Sequence, residues 1–452
     1  MRAPNLFTKS FLVCALFSFT LASWAQTSIM DLKQVYQAAL EQDANIRASR
    51  AAADSGRERL PQALAGLLPQ VSASVGRNNN DLNSTAPNIL GNPVTTNNKY
   101  FSDNKSLQLR QPLVNMQRWQ QFQQAKSVVE EVEANLDRDL QNLVVRVSSA
   151  YFETLMADEQ LDLVLAQKKT YTALVDSAKK GFVAGSGTRT DIDDAQARLD
   201  MASAQELEAR QNQDLTRRQL ELLVNQPVNQ VSKLNVEALK LSPPEPANLD
   251  AWTQKAEQAS PEIKAMQARL DAARREVSKS MASHLPTLDA VAQWSNSISE
   301  NITRINSRYE TKTLGLQLNI PIFSGGYVNS TIRQAVADQT RAEESLEALR
   351  RDLGVRVHRE YRGVSEGVLR IRALEQAARS SEQMLKSTQM SQKAGSRTQL
   401  DVLNAQQQYT LALRDLAQVR LVYLLSKVRL ASLVGDDANA SVEQVNASLS
   451  AR

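Results

Sequence analysis

The residues best suited to chemistry are few and scattered. The sequence holds two histidines, His284 and His358, and one cysteine, Cys14. Both histidines are isolated, so neither is expected to hold a metal. No glycine-rich loop follows a strand to cradle a phosphate. Carboxylates are plentiful, but they spread along helix faces as solvated charges do. Nothing here supports an enzyme, and no cofactor is expected. The remaining cluster is polar and occurs twice. It reads Ala184-Gly185-Ser186-x-Thr188-x-x-Asp191-Ile192-x-x-Ala195-Gln196, and again Ala394-Gly395-Ser396-x-Thr398-x-x-Asp401-Val402-x-x-Ala405-Gln406. In each, the glycine suits a helix reversal and a threonine, Thr188 or Thr190 in the first, suits the cap of a returning helix. Asp191 and Asp401 then fall in a first turn, where the helix dipole favours a carboxylate. Arg397 gives the second turn a positive charge at the depth of Asp191. The chemistry this allows is hydrogen bonding and ion pairing at two helix reversals.

Those reversals belong to a duplication. Residues 31–75 align with 248–292 at an offset of 217, and later stretches align at 209–210. Leu68-Pro69 matches Leu285-Pro286, and Leu107-Gln108-Leu109 matches Leu316-Gln317-Leu318. The expected organisation is a signal peptide at 1–25, a first repeat at 26–226, a linker at 227–247, a second repeat at 248–436 and a polar C-terminal tail at 437–452. Pro227, Pro243, Pro244 and Pro246 mark the linker.

Each repeat has the same order of elements. A helix over 31–67 ends before Pro69. A strand follows, with Val71, Ala73 and Val75 alternating with Ser72 and Ser74. A polar, Asn-rich loop at 78–99 leads to a strand carrying Leu107, Leu109 and Leu113. Repeat two matches these with strands around 288–294 and 314–320 and a loop at 296–308. Residues 113–180 and 188–226 contain neither Gly nor Pro. The first of these is ~100 Å long as one helix. Val132, Leu136, Leu140, Leu143 and Val147 give coiled-coil-like spacing. In repeat two, Gly354, Gly363 and Gly367 are expected to interrupt the long helix.

Arg2, Lys9 and the apolar run Phe11 to Leu21, with small residues before Ala25, form a secretory signal. Cys14 lies inside that run after Val13, not after a small residue, so lipidation is not expected. Lys and Arg number 53 against 49 Asp and Glu. This balance does not suit nucleic acid. No later apolar run can span a bilayer as a helix. The exported chain is therefore soluble or inserted as a β-barrel. Four strands cannot close a barrel. Two copies of the chain bring eight strands and three bring twelve. One alternative is a periplasmic coiled-coil scaffold, which osmotic shock would release.

The repeated helix–hairpin–helix–helix order resembles the TolC family of outer-membrane export ducts. So do the Leu-Pro pairs, the run Pro321-Ile322-Phe323-Ser324-Gly325-Gly326 and the two tip motifs. The resemblance implies a mainly α fold with a small β part, assembled as a homotrimer. A twelve-stranded membrane β-barrel then continues into a periplasmic α-helical barrel, in the outer membrane of a Gram-negative bacterium. It also implies a periplasmic adaptor (a membrane fusion protein) and an inner-membrane ABC or proton-driven transporter as partners, beside outer-membrane lipid. Type I protein secretion or general export is favoured over drug efflux, since the chain lacks a lipid anchor. By the same resemblance, Asp191 and Arg397 are gate residues, and Gln392 replaces the family's gate tyrosine. Asp401 and Asn404 fall on the lumen selectivity positions. Gly185, Ser186, Thr188, Gly395, Ser396 and Thr398 form the tips that meet the adaptor.

Overall fold

The computed structural model describes residues 29–299 and 307–450. The signal peptide lies outside the described residues, as does most of the loop expected at 296–308. Repeat one begins with β1 (Ile29–Met30) and three helices, α1 (Leu32–Gln42), α2 (Ala44–Arg57) and α3 (Arg59–Ala65). The single helix expected over 31–67 is thus broken. Asp43 has φ −61° and ψ 122°, an extended conformation that ends α1, and its carboxylate caps α2. Pro61 lacks the amide that would continue α2 into α3.

Strands β2 (Gln70–Pro87) and β3 (Pro93–Val114) follow, 18 and 22 residues long. They run straight through the segment expected to be a loop, leaving a turn around 88–92. Pairs such as Asn79 with Phe101 and Asn83 with Asn97 carry the ladder upward. Then come α4 (Met116–Val183) and α5 (Arg189–Val224). The linker carries β4 (Gln230–Val231) and β5 (Lys233–Leu234).

Repeat two supplies α6 (Leu249–Ala259), α7 (Pro261–Ala282), β6 (Thr287–Ile298), β7 (Arg308–Asn319), α8 (Tyr327–Lys393) and α9 (Gln399–Leu433). The long helix expected to be interrupted is continuous for 67 residues. Two of its glycines let α9 approach instead. A Cβ on Gly363 would stand 2.5 Å from the Ser426 hydroxyl, and one on Gly367 would stand 3.2 Å from the Tyr423 ring. The last segment, α10 (Ala438–Asn446) and β8 (Leu449–Ser450), corrects the polar tail expected from 437 onward. Val442 and Val445 are buried there, and β8 pairs with β5 of the linker. β1 likewise pairs with β4, so both termini of the described chain fasten the linker.

The four long strands form one antiparallel sheet in the order β2-β3-β6-β7. Its rows alternate in character. Val71, Leu109, Ala292 and Leu314 lie side by side, and the next row is Ser72, Gln108, Gln293 and Thr313. One face is therefore apolar and the other polar. Leu314, Leu316 and Leu318 stay exposed at 85%, 69% and 60%. The edges of β2 and β7 have no partner strand within the described chain.

The main core lies where α1, α4, α5, α8 and α9 meet, around Leu32, Tyr151, Leu155, Leu220, Val357 and Leu424. The Tyr151 hydroxyl reaches the carbonyls of Met30 and Ser232 at 3.2 and 3.1 Å. Burial pushes its pKa well up. Beyond this core the two hairpins α4–α5 and α8–α9 project to their tips. Only small clusters hold them there, such as Tyr171, Ala202 and Leu403. Among the described residues, no helix is long and apolar enough to cross a membrane.

Candidate functional site

The two tips are near copies of one another. α4 closes on a left-handed Gly185 at φ +73°, and α8 on Gly395 at φ +78°. Only glycine takes this conformation without strain. The chain then folds back onto the last helical turn. Amides of Gly185 and Ser186 donate to the carbonyls of Phe182 and Gly181 at 3.0 and 2.9 Å. Gly395 and Ser396 donate to Gln392 and Ser391, both at 3.0 Å. Each serine hydroxyl adds a bond to the same carbonyl, at 3.2 Å for Ser186 and 3.1 Å for Ser396.

A capping box starts each return helix. Asp191 accepts from the Thr188 amide at 2.8 Å and its hydroxyl at 2.7 Å, and the Asp191 amide donates to that hydroxyl at 3.2 Å. Thr398 and Asp401 repeat this at 2.9, 2.8 and 3.2 Å. Thr188, not Thr190, is therefore the cap. The Thr188 hydroxyl and amide hold the Asp191 carboxyl below the ordinary aspartate range. Asp401 is lowered in the same way by the Thr398 amide and hydroxyl, with a smaller contribution from Arg397. Both acids thus stay charged at neutral pH.

The structure joins some of the expected residues and leaves others apart. Arg397 sits 3.8 Å from Asp401 within its own tip. No ion pair links it to Asp191 among the described residues. Gln392 donates to Gln399 at 3.2 Å and so braces the α8–α9 hairpin from inside. Asn404 is engaged by a residue the sequence did not single out. Arg198, on α5, donates to Asn404 Oδ1 at 2.8 Å and to Gln407 Oε1 at 3.0 Å. This fork joins the hairpins of the two repeats across more than 200 residues of sequence. Nothing local marks Arg198 in the sequence. Only the register of α5 against α9 brings it there.

Comparison with known proteins fits this geometry. A model of the outer membrane efflux protein family matches residues 35–226 and 252–436, one span in each repeat. The chain belongs to the outer membrane efflux protein family. It is 30% identical over 415 residues to the proteases secretion protein PrtF of Dickeya chrysanthemi, covering 91% of this chain and 90% of that one. It is 32% identical to the alkaline protease secretion protein AprF of Pseudomonas aeruginosa, covering 91% and 86%. The solved channel CusC superposes with a TM-score of 0.78 at 18% identity, over 96% of this chain and 99% of that one. This efflux-family protein is a channel of the outer membrane with a periplasmic helical extension, not an enzyme. The resemblance to the TolC family stands, and the periplasmic scaffold alternative falls with it.

Proposed function

We propose that three copies of this chain form the outer-membrane exit duct of a type I protein secretion system. The observation that carries the reading is the similarity along nine-tenths of the chain to PrtF and AprF, both protease secretion proteins. The geometry supports it. A four-stranded sheet with two open edges and an exposed apolar face must bury those edges within the bilayer. Three sheets supply twelve strands, within the range of membrane barrels. The polar rows then line the lumen. The 68- and 67-residue helices leave the same end of each sheet and extend ~100 Å into the periplasm.

At the far end, six tips surround one aperture. There a periplasmic adaptor and an inner-membrane ABC transporter dock and supply the energy. The turns at Gly185, Ser186, Thr188, Gly395, Ser396 and Thr398 are the contact surface. Asp191 and Arg397, unpaired with each other inside the chain, bias the aperture toward closure, and Gln392 stiffens its hairpin. Asp401 supplies the charge of the lumen ring, while Asn404 adds none.

The test is exchange for PrtF. A Dickeya chrysanthemi strain lacking PrtF receives this chain, and protease activity is measured in the medium. Secreted protease, with trimers seen by native mass spectrometry of the membrane fraction, is the expected result. Intact trimers with protease retained in the cell would overturn the assignment to protein secretion.

A further inference from the structure

Where two repeats diverge, one can lose a partner that the other keeps. In repeat one, the Asp43 carboxylate accepts from the Ile46 amide at 2.9 Å and faces the Arg146 guanidinium at 3.3 Å. It is 3% exposed. The aligned residues in repeat two are Ser260, Ile263 and Arg356. The backbone is the same, with φ −55° and ψ 127° at Ser260 against −61° and 122° at Asp43. The carboxylate is gone. Ser260 is 2% exposed, yet its hydroxyl makes no cap hydrogen bond to the 22-residue helix α7. Ile263 thus lacks the acceptor that Ile46 has.

Guanidinium groups gather around that missing group. A cavity of about 200 Å³ opens beside Ser260 and is lined by Arg138, Arg356, Arg359 and Arg429. The two carboxylates that also line it are Glu262 and Glu360. Glu262 is taken by Arg356 at 2.5 Å, and Glu360 by Arg359 at 3.1 Å; Arg356 also meets Asp352 at 2.8 Å. Among the described residues Arg138 pairs only with its neighbour Asp139, at 2.9 Å. Arg429 has no acid partner among the described residues. The positions in the other repeat that align with Arg138 and Arg429 are Ala348 and Gln219, both neutral. An uncapped helix N-terminus, a Ser260 hydroxyl that makes no cap bond and one guanidinium without an acid partner, Arg429, thus converge on one space. Such a combination favours an anion. The volume is several times the ~30 Å³ share of one water, and far too small for a folded partner.

We propose that this cavity is an oxyanion site, taking a carboxylate or phosphate group where Asp43 puts its own carboxylate in repeat one. The ligand's anionic oxygens accept from the α7 amides and the Ser260 hydroxyl, with Arg429 supplying the balancing charge. The site lies in the helical body, away from the tips, so it ties α4, α7 and α9 together where the hairpins begin.

The test uses the full-length protein in detergent. Thermal unfolding is followed against inorganic phosphate, and separately against acetate, with sodium chloride at matched ionic strength as the baseline. A saturable rise in melting temperature above the chloride curve, with at least one of the two anions, is expected. Ser260→Asp restores the internal carboxylate, so this variant melts higher without added anion and loses the response. Arg429→Gln loses the response without that gain. A wild-type protein that follows the chloride curve with both anions overturns the proposal, as does a full response in Ser260→Asp. Should Ser260→Asp fail to fold, an unaltered response in Arg429→Gln overturns it equally.

Discussion

Among the described residues, the Arg198 fork is the one direct polar link between the hairpin tips of the two repeats, and removing it should loosen the aperture. Arg198 is half-buried, but Asn404 and Gln407 are exposed. Water competes for both bonds, so each contributes about 0.5 kcal/mol, the low end for an intramolecular hydrogen bond. Two bonds give about 1 kcal/mol per chain, and a trimer that opens all at once loses about 3 kcal/mol. At 1.4 kcal/mol per decade, Arg198→Ala should move the closed-to-open ratio by about 100-fold. Arg198→Lys keeps the charge without the two-pronged donor, so it should fall between the two. The assay is single-channel recording in planar bilayers, with native mass spectrometry to verify the trimers. Wild-type conductance from intact Arg198→Ala trimers would show that the fork does not restrain the aperture.

Further expectations follow from the packing and the caps. Gly363→Ala places its methyl 2.5 Å from the Ser426 hydroxyl and should cost about 1–3 kcal/mol. Gly354→Ala meets nothing within 4 Å and should gain about 0.5–1 kcal/mol. Opposite shifts in melting temperature are the readout. Asp191 and Asp401 have lowered pKa values, so their caps stabilise the tips above the unfolded-state value of 3.8 and fail as the pH falls through the lower folded-state values. Hydrogen exchange at 189–195 and 399–405 should therefore be slow above the unfolded-state value and accelerate as the pH falls below it, once the intrinsic rate is corrected for. An epitope inserted at Asn88, in the turn between β2 and β3, should be labelled on intact cells. Labelling only after permeabilisation would reverse the orientation.

Much of this fold is written locally. Val71, Ala73 and Val75 alternate with serines, and a strand follows because one face meets lipid. Thr188 and Asp191 lie three apart after a glycine, and a capped reversal follows from backbone chemistry alone. The strand extension beyond Arg77 was not legible, because residues such as Asn78, Asn79 and Asn80 put polar groups on both faces. That pattern is what water on both sides produces, and it mimics a loop. Gly363 and Gly367 misled for a different reason. A glycine in a helix reads as a break until the neighbouring helix supplies Ser426 and Tyr423 at contact distance. Arg198 depends on a register between distant helices, and a single sequence does not encode that register visibly. The divergence of Asp43 and Ser260 was present in the alignment of the repeats. Its meaning needed the cavity.

The two hairpins of the sheet are unequal in height. β3 pairs with β6 only from Asp103 onward, so among the described residues Pro93–Ser102 has β2 as its sole partner strand. Ten residues at about 3.4 Å each make a ribbon of roughly 34 Å. Two strands without a third are marginal on their own. In the proposed trimer, three such ribbons would stand around the outer mouth. With the orientation that the Asn88 epitope tests, they would be the first part of the duct that an antibody or a phage meets. Two-stranded, they carry fewer ladder hydrogen bonds per residue than the four-stranded barrel wall beneath them.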